Sequence, residues 1–165
     1  MNYQFERKDR EAIIKGMEEK FMKEALKEAK KAYDNGEIPI GAIIVKDGKI
    51  IARAHNQKEE KNDATKHAEI IAIQKASKKV QGWRLENCEM YVTLEPCMMC
   101  TGAIIQSRIK KVYIGAMNEK LGYCGSVLNL LEYNKYDYKV ESETGILQKE
   151  CSKIIRDFFT GLRKK

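Results

Sequence analysis

The sequence lacks any apolar run long enough to cross a bilayer. A membrane-spanning helix needs about 18 or more consecutive apolar residues, whereas one third of this 165-residue chain is charged and the charges are spread along it. The N-terminus also lacks the apolar stretch that marks a secretory signal, because charges of both signs alternate along residues 1–16. We therefore expect a cytoplasmic protein with no membrane association.

Proline is scarce and the cysteines are odd in number. The chain has two prolines and no proline-rich, glycine-rich or repeated segment, which favours one compact domain without a linker. Its five cysteines are unevenly spaced, so they fit reduced thiols or a metal site better than a disulfide framework.

The net charge leaves two classes of protein open. A charge of +7 and a pI near 9.1 suit a nucleic-acid partner. A lysine-rich soluble domain with no such partner has the same balance, so charge alone does not decide between them.

Hydrophobic periodicity and turn signals predict a layered α/β domain of nine elements. We expect Asp63 or Thr65 to cap the second helix. The predicted elements, in chain order, are a helix over Glu18–Asn35, strands over 40–45 and 49–54 joined at Asp47-Gly48, a helix over 67–80, a strand over 88–94, a short helix from Pro96 to Ile109, strands over 111–116 and 136–141, and a helix over Gln148–Leu162.

Two thiols stand three residues apart in the stretch TLEPCMMC, residues 93–100. Proline favours the first position of a helix, so Cys97 and Cys100 are expected on one face of its first turn. The positive end of the helix dipole stabilises thiolates there, and zinc binds thiolates. A redox dithiol and a pair of ordinary core thiols remain alternatives.

A histidine at another predicted helix start favours the metal site over the two alternatives. His67 lies 30 residues before Cys97, and the set His67, Cys97 and Cys100 supplies three ligands. Three ligands leave a tetrahedral position open for water, as in catalytic zinc sites. A structural site with a fourth ligand stays open as well, with His55, Cys88, Cys124 or Cys151 in that place.

Glu69 is the candidate group for proton transfer. It follows His67 by two residues and therefore points away from the ligand side of a helix, toward a molecule held above the metal. A glutamate at a helix start can also merely complement the helix dipole.

These residues form a pattern that resembles a known family. HAE followed by PCMMC is the H-x-E…P-C-x-x-C signature of zinc-dependent nucleobase deaminases. Together with GEIPIGAIIV, AHN, YVTLEPCMMCTGAIIQSRI, VYIGA and ECSKIIRDFF, it resembles the bacterial tRNA-specific adenosine deaminases of the cytidine and deoxycytidylate deaminase superfamily. The resemblance begins near Lys20, so we expect an N-terminal extension over residues 1–17 and a deaminase domain over 18–165.

The resemblance implies a fold and an activity. The fold is a three-layer α/β/α arrangement around a central mixed sheet. The activity is the zinc-dependent hydrolysis of adenosine to inosine at the wobble position of a tRNA anticodon, by a homodimer with one zinc ion per subunit and no organic cofactor. In this reading Glu69 takes a proton from water and passes it to the departing ammonia.

The resemblance also implies the residues that hold the substrate. Asn56 bonds the inserted base, backbone near Ala68 and Cys97 holds the rest of it, and other residues line the pocket or contact the anticodon stem-loop. The predicted lining residues are Pro39, Ile40 and Leu94, and the predicted RNA contacts are Asn118, Lys120, Phe159 and Arg163. Ordinary core packing is an equal explanation for the three lining residues.

The chain departs from the family pattern at Asn118, where an aspartate is usual. Asparagine removes a negative charge beside RNA phosphates and adds a donor, so discrimination by the ribose 2′-hydroxyl is expected to weaken. Deamination of adenine in single-stranded DNA is therefore one alternative function. A deaminase of a free base or nucleoside and a silent RNA-binding module are the others.

Overall fold

A hairpin opens the central sheet as predicted. The computed structural model describes residues 3–133 and 135–164, and in it strand β1 (Gly41–Lys46) pairs antiparallel with strand β2 (Lys49–His55). Asp47 and Gly48 connect them with φ angles of 49° and 71°. Two consecutive left-handed residues are the requirement of a two-residue hairpin turn, which the Asp-Gly pair meets at low cost.

Three further strands complete a mixed sheet in the order β2-β1-β3-β4-β5. They are β3 (Cys88–Leu94), β4 (Lys111–Ala116) and β5 (Glu141–Thr144). β1 runs antiparallel to β3, and β3, β4 and β5 run parallel to one another. Since β2 is antiparallel to β1, the carboxyl ends of β2, β3 and β4 meet at one edge of the sheet.

Helices cover both faces of the sheet, which confirms the predicted three-layer α/β/α fold. On one face α3 (Ala68–Val80) and α4 (Met98–Gln106) enclose a core that includes Ile44, Met90 and Ile104. On the other face α1 (Tyr3–Asp34) and α5 (Gln148–Arg163) enclose a second core. The remaining helix is the short α2 (Lys58–Lys61), which the sequence analysis missed.

The first helix is longer than its hydrophobic pattern predicts. It begins at Tyr3 rather than at Glu18, and residues 6–17 are exposed. Apolar periodicity marks only the part of a helix that packs against something, so it detects residues 18–34 and not the solvated turns before them.

The last strand is displaced from its predicted position. We expected a strand over 136–141, but β5 starts at Glu141. Tyr138 and Val140 pack against the α3–α4 core from the segment before the strand. Their alternation therefore has the appearance of a strand, although the pairing of β5 with β4 begins only at Glu141.

The first helix and the hairpin approach each other closely at Gly41. A Cβ atom at this position would lie 2.0 Å from the carbonyl oxygen of Ala25 and 2.5 Å from the backbone nitrogen of Ala29. Only glycine allows the helix backbone this near to β1. Within the described residues no helix has the combination of length and low charge that a membrane span requires.

Candidate active site

The predicted site residues follow the sheet edge where β2, β3 and β4 end. Asn56 comes directly after β2, Cys97 three residues after β3, and Asn118 two residues after β4. Side chains at the carboxyl ends of neighbouring strands converge on one crevice, which is where α/β proteins bind ligands. The fold thus brings together residues that are far apart in sequence.

The two cysteines are placed by the start of α4. Cys97 is the N-cap, with extended backbone (φ −72°, ψ 176°), and Cys100 is the third helical residue. The prediction that the helix begins at Pro96 was wrong by two residues, because the extended conformation of Cys97 delays the first turn. The thiols still lie on the same side, and the Cys100 side chain is fully buried.

His67 has the corresponding place at the start of α3. It is the N-cap, again with extended backbone (φ −77°, ψ 151°), so the prediction of Asp63 or Thr65 as the cap was wrong. Asp63 instead accepts the backbone N–H of Thr65 at 2.8 Å and stabilises the turn that leads to the histidine.

The three side chains form a compact group that can hold a metal ion. Their ligand atoms all lie within 4.8 Å of one another, and among the described residues no other histidine, cysteine, aspartate or glutamate belongs to this group. His67 Nδ1 is 3.6 Å from Cys97 Sγ and 3.5 Å from Cys100 Sγ. The arrangement therefore has three ligands, and none of the four candidate fourth ligands considered above joins it.

The electrostatics of the group favour a cation. Hydrogen bonding with Cys100 lowers the pKa of the Cys97 thiol to about 4. The same contact, with burial, raises the pKa of the Cys100 thiol above its ordinary range. The contact with Cys97 also raises the pKa of His67. The thiolate form of Cys97 is thus favoured, and a divalent ion in this place would stabilise it together with a second thiolate at Cys100.

The segment after β2 is joined to the turn before His67, because the backbone N–H of Gln57 donates to the carbonyl of Lys66 at 3.0 Å. Two buried oxygens in this region have no hydrogen-bond partner within residues 3–133 and 135–164. They are Glu69 Oε2 and Asn56 Oδ1, on side chains only 2% and 3% exposed. Burial raises the pKa of the Glu69 carboxyl to about 7. Unsatisfied buried polar atoms are costly and rare in folded proteins, so a pair of them at one site indicates that a polar ligand completes it.

The predicted pocket residues differ in burial. Pro39 and Ala68 are buried, and Ile40 and Leu94 are partly exposed. The backbone N–H of Asn56 donates to the carbonyl of Ile40 at 3.1 Å, which holds the asparagine against this segment. Direct contact of these residues with a substrate stays a prediction.

The four predicted RNA contacts fall into two groups. Asn118 and Lys120 follow β4, next to the ligand residues; Asn118 is partly exposed and Lys120 exposed. Phe159 and Arg163 lie on α5, which packs on the opposite face of the sheet from α3 and α4. Phe159 is 41% exposed whereas its neighbour Phe158 is 8% exposed. One of the two rings is thus accessible, and its role in RNA binding stays a prediction.

Comparison with known proteins identifies the family. The model of the MafB19-like deaminase family matches residues 17–163. A tRNA-specific adenosine deaminase of Bacillus subtilis (strain 168) is 48% identical over 148 residues, which cover 90% of this chain and 92% of that protein. The chain belongs to the tRNA-specific adenosine deaminase family. This confirms the family inferred from the sequence motifs.

Solved structures agree with the deaminase assignment. A structure from a study of A-to-I editing by tRNA:A34 deaminases is 40% identical, with a TM-score of 0.78, and covers 81% of this chain and 97% of that one. A guanine deaminase of Bacillus subtilis is 34% identical with a TM-score of 0.59, and covers 89% of this chain and 94% of that one. Deaminases of different substrates therefore share this fold.

One residue beside the candidate site was missed by the sequence analysis. Glu95 lies between β3 and the candidate ligand Cys97, and its side chain is 2% exposed. A glutamate between an apolar strand and a proline is an unusual place for a charge, and that position is the signal that points to it.

Proposed function

We propose that this protein hydrolyses adenosine to inosine at the wobble position of a tRNA anticodon. The observation that carries the chemistry is the pair of unpartnered oxygens of Glu69 and Asn56 next to three potential metal ligands. The choice of substrate rests on membership of the tRNA-specific adenosine deaminase family at 48% identity over nearly the full length of the relative.

Zinc is the metal that the three ligands fit best. One imidazole nitrogen and two thiolate sulfurs are a common donor set for catalytic zinc. At tetrahedral angles, zinc–nitrogen and zinc–sulfur distances of about 2.05 and 2.3 Å separate the nitrogen from each sulfur by about 3.6 Å. The measured separations are 3.6 Å and 3.5 Å. His67, Cys97 and Cys100 would thus hold one ion with little rearrangement.

Glu69 moves the protons of the reaction. Bound zinc supplies a Lewis acid that lowers the pKa of a water molecule. Glu69 accepts a proton from the attacking water as the new C6–oxygen bond forms, and it delivers a proton to the departing ammonia as the C6–nitrogen bond breaks. Its buried, unpartnered Oε2 is available for both steps.

Asn56 and the backbone of the two helix starts orient the base. The free Oδ1 of Asn56 can accept a hydrogen bond from the exocyclic amino group of adenine, while its backbone N–H is already held by Ile40. Backbone near Ala68 and Cys97 lies at the ends of α3 and α4 and bonds the rest of the inserted base. Pro39, Ile40 and Leu94 line the pocket.

The remaining predicted contacts hold the anticodon loop. Asn118 and Lys120 bind nucleotides that flank the target adenosine, and the exposed ring of Phe159 stacks on an unpaired base. Arg163 contacts phosphate. The net charge of +7 supports an anionic partner of this kind.

The protein acts as a homodimer, for which an exposed apolar surface around α4 gives support. Met98, Leu121 and Val127 are 60%, 63% and 47% exposed. The two segments that carry these residues are connected, because the backbone N–H of Tyr123 donates to the carbonyl of Pro96 at 2.9 Å. Light scattering of the wild type and of Leu121→Glu should show a dimer and a monomer, respectively.

We keep the division into an extension over 1–17 and a deaminase domain over 18–165 as part of this proposal. Met1, Asn2 and Lys165 lie outside the described residues, and α1 continues without a break through residue 17. A cytoplasmic location also stays a prediction.

The decisive experiment measures the product on a defined RNA. Zinc-loaded protein is incubated with an anticodon stem-loop that carries a wobble adenosine, and inosine is read by sequencing, with Glu69→Ala as the inactive control. Inosine at that position alone, absent in the control, is the expected result.

Parallel reactions separate the other candidate functions. Free adenosine, guanine and a DNA hairpin of the same sequence are tested for ammonia release. Turnover of a free base with no inosine in the RNA would show that the substrate is a free base and not tRNA. The similarity to a guanine deaminase makes this the outcome to test against. Bound RNA with no ammonia from any substrate would indicate a silent binding module.

A further inference from the structure

Glu95 carries a buried carboxylate whose hydrogen-bond donors all come from one loop. We call residues 117–126 the Glu95 loop. Oε1 accepts the backbone N–H groups of Cys124 and Ser126, both at 3.0 Å. Oε2 accepts the backbone N–H of Asn118 at 2.8 Å and the hydroxyl of Ser126. Four donors from three loop residues thus converge on a single side chain.

These bonds replace the solvent that the carboxylate has lost. The Glu95 side chain is 2% exposed, and no described lysine, arginine or histidine forms an ion pair with it. A buried charge is tolerated only when its oxygens are hydrogen-bonded, and charge-assisted bonds from backbone amides are among the stronger ones. The carboxylate and the loop conformation therefore depend on each other.

The loop packs closely against the Glu95 carboxylate at Gly122. A Cβ atom on Gly122 would lie 2.0 Å from Glu95 Oε2, and the N–H of Gly122 donates to the carbonyl of Asn118 at 2.8 Å. The first half of the loop is thus a tight turn closed over the acid.

The same loop is tied to the segment that carries the metal ligands. The backbone N–H of Glu95 donates to the carbonyl of Ala116 at 2.8 Å, which joins the end of β3 to the end of β4. On α4, Thr101 Oγ1 lies 3.4 Å from Cys124 Sγ. Cys97 follows Glu95 by only two residues, so the acid stands between the ligand segment and the loop.

We propose that Glu95 is a positioning residue that holds the Glu95 loop in its RNA-binding conformation. The inference rests on the proposed function, because Asn118 and Lys120 of this loop are the RNA contacts named there. A loop fixed before binding avoids the entropy cost of ordering it on the RNA. Glu95 therefore acts on the affinity for the anticodon loop through Asn118, and not on the chemical step.

The variant Glu95→Gln distinguishes the N–H of Asn118 from the other donors to this side chain. Glutamine keeps the shape of the side chain but accepts at only one of its two terminal atoms. Its oxygen satisfies both Cys124 and Ser126 when it takes the place of Oε1. Its NH2 group then faces the N–H of Asn118, donor against donor, while the Ser126 hydroxyl can turn and accept. The variant thus releases the loop at Asn118 first.

Ser126→Ala is the matched control. It removes the one hydroxyl donor and leaves the three backbone N–H bonds to Glu95 in place. Amide hydrogen exchange, resolved by residue, is measured for both variants and the wild type. Zinc content and steady-state kinetics on the anticodon stem-loop are measured on the same samples.

We expect the Asn118 amide to exchange at least about tenfold faster in Glu95→Gln than in the wild type, because it loses its hydrogen bond to a charged acceptor. The Cys124 and Ser126 amides should stay close to wild type. KM for the stem-loop should rise by about tenfold with kcat within about twofold and zinc unchanged, because binding and not chemistry is affected. Ser126→Ala should leave the exchange of the Asn118 amide and KM within about twofold of wild type, because the bond from the Asn118 N–H to Glu95 is kept.

Two results would overturn the inference. Unchanged exchange at Asn118 together with unchanged KM would show that Glu95 does not hold the loop. A fall in kcat or in zinc content at constant KM would show that it serves the metal segment instead. Should wild-type protein form no inosine on the stem-loop, the proposed function fails, while the exchange data still decide whether Glu95 positions the loop.

Discussion

Replacing Glu69 with glutamine tests the proton-transfer step most directly. The amide has nearly the same volume as the carboxylate, but it neither accepts a proton from water nor returns one to the leaving group. General acid–base catalysis contributes about 10²- to 10⁴-fold to a rate, which corresponds to about 3–5 kcal/mol of activation free energy. We expect Glu69→Gln to lower kcat by this factor.

The structure predicts that the loss is confined to catalysis. Glu69 does not belong to the ligand group of His67, Cys97 and Cys100, so zinc content should be unchanged. The side chain is 2% exposed and Oε2 has no partner among the described residues. Because burial already raises the pKa of the Glu69 carboxyl to about 7, an uncharged amide costs no more to bury, and the melting temperature should therefore be no lower than that of the wild type.

The assay is single-turnover inosine formation on the anticodon stem-loop, with zinc analysis and thermal denaturation of the same preparation. Glu59→Gln is the matched control, since this glutamate has a side chain 74% exposed on α2 and lies outside the site. It should keep wild-type activity. A Glu69→Gln enzyme with more than about one tenth of the wild-type rate would refute the assignment of Glu69 as the proton carrier.

Three further predictions concern the metal, the nucleic acid and the fold. Cys100→Ser should lose most of its zinc on dialysis, because a serine hydroxyl is not ionised at neutral pH; full zinc occupancy by elemental analysis would exclude Cys100 as a ligand. Asn118→Asp should raise the ratio of RNA to DNA deamination on matched hairpins, since it replaces a group that also donates with an acceptor-only carboxylate facing the ribose 2′-hydroxyl; an unchanged ratio would contradict this reading. Gly41→Ala should lower the free energy of unfolding by about 3 kcal/mol, because its Cβ would lie 2.0 Å from the Ala25 carbonyl oxygen. Gly161→Ala is the control, and it should not destabilise the protein because a Cβ there has no neighbour within 4 Å. Urea denaturation measures both, and equal stabilities would show that β1 and α1 can separate at no cost.

The parts of the fold that could be predicted from the sequence are those set by local signals. A two-residue hairpin turn requires left-handed backbone, which Asp47 and Gly48 adopt readily. This local pair therefore specifies the hairpin without help from the rest of the chain. The strands over 88–94 and 111–116 are rich in residues with high β-propensity and are mostly buried, and their bounds were predicted correctly. The proximity of His67, Cys97 and Cys100 was predicted because histidine and a cysteine pair in this spacing have few other roles, and the three side chains do lie together.

The parts that could not be predicted depend on distant partners. The early turns of α1 bury nothing, and a periodicity argument has no signal there. Val140 is buried in the core and Tyr138 packs against it, yet neither belongs to a strand, and the alternation of the sequence does not distinguish this case from a strand. The role of Glu95 is the extreme example, since its donors at Asn118, Cys124 and Ser126 are 23, 29 and 31 residues away.

The placement of His67 and Cys97 at helix N-caps limits how the enzyme can be engineered. Serine, threonine, aspartate or asparagine at an N-cap stabilises a helix by about 1 kcal/mol relative to residues that do not cap. Within the described chain, neither the histidine nor the cysteine caps its helix through its side chain. A thermostability screen guided by capping preference would therefore include these two positions, and each substitution there would stabilise a helix while removing one of the three candidate metal ligands.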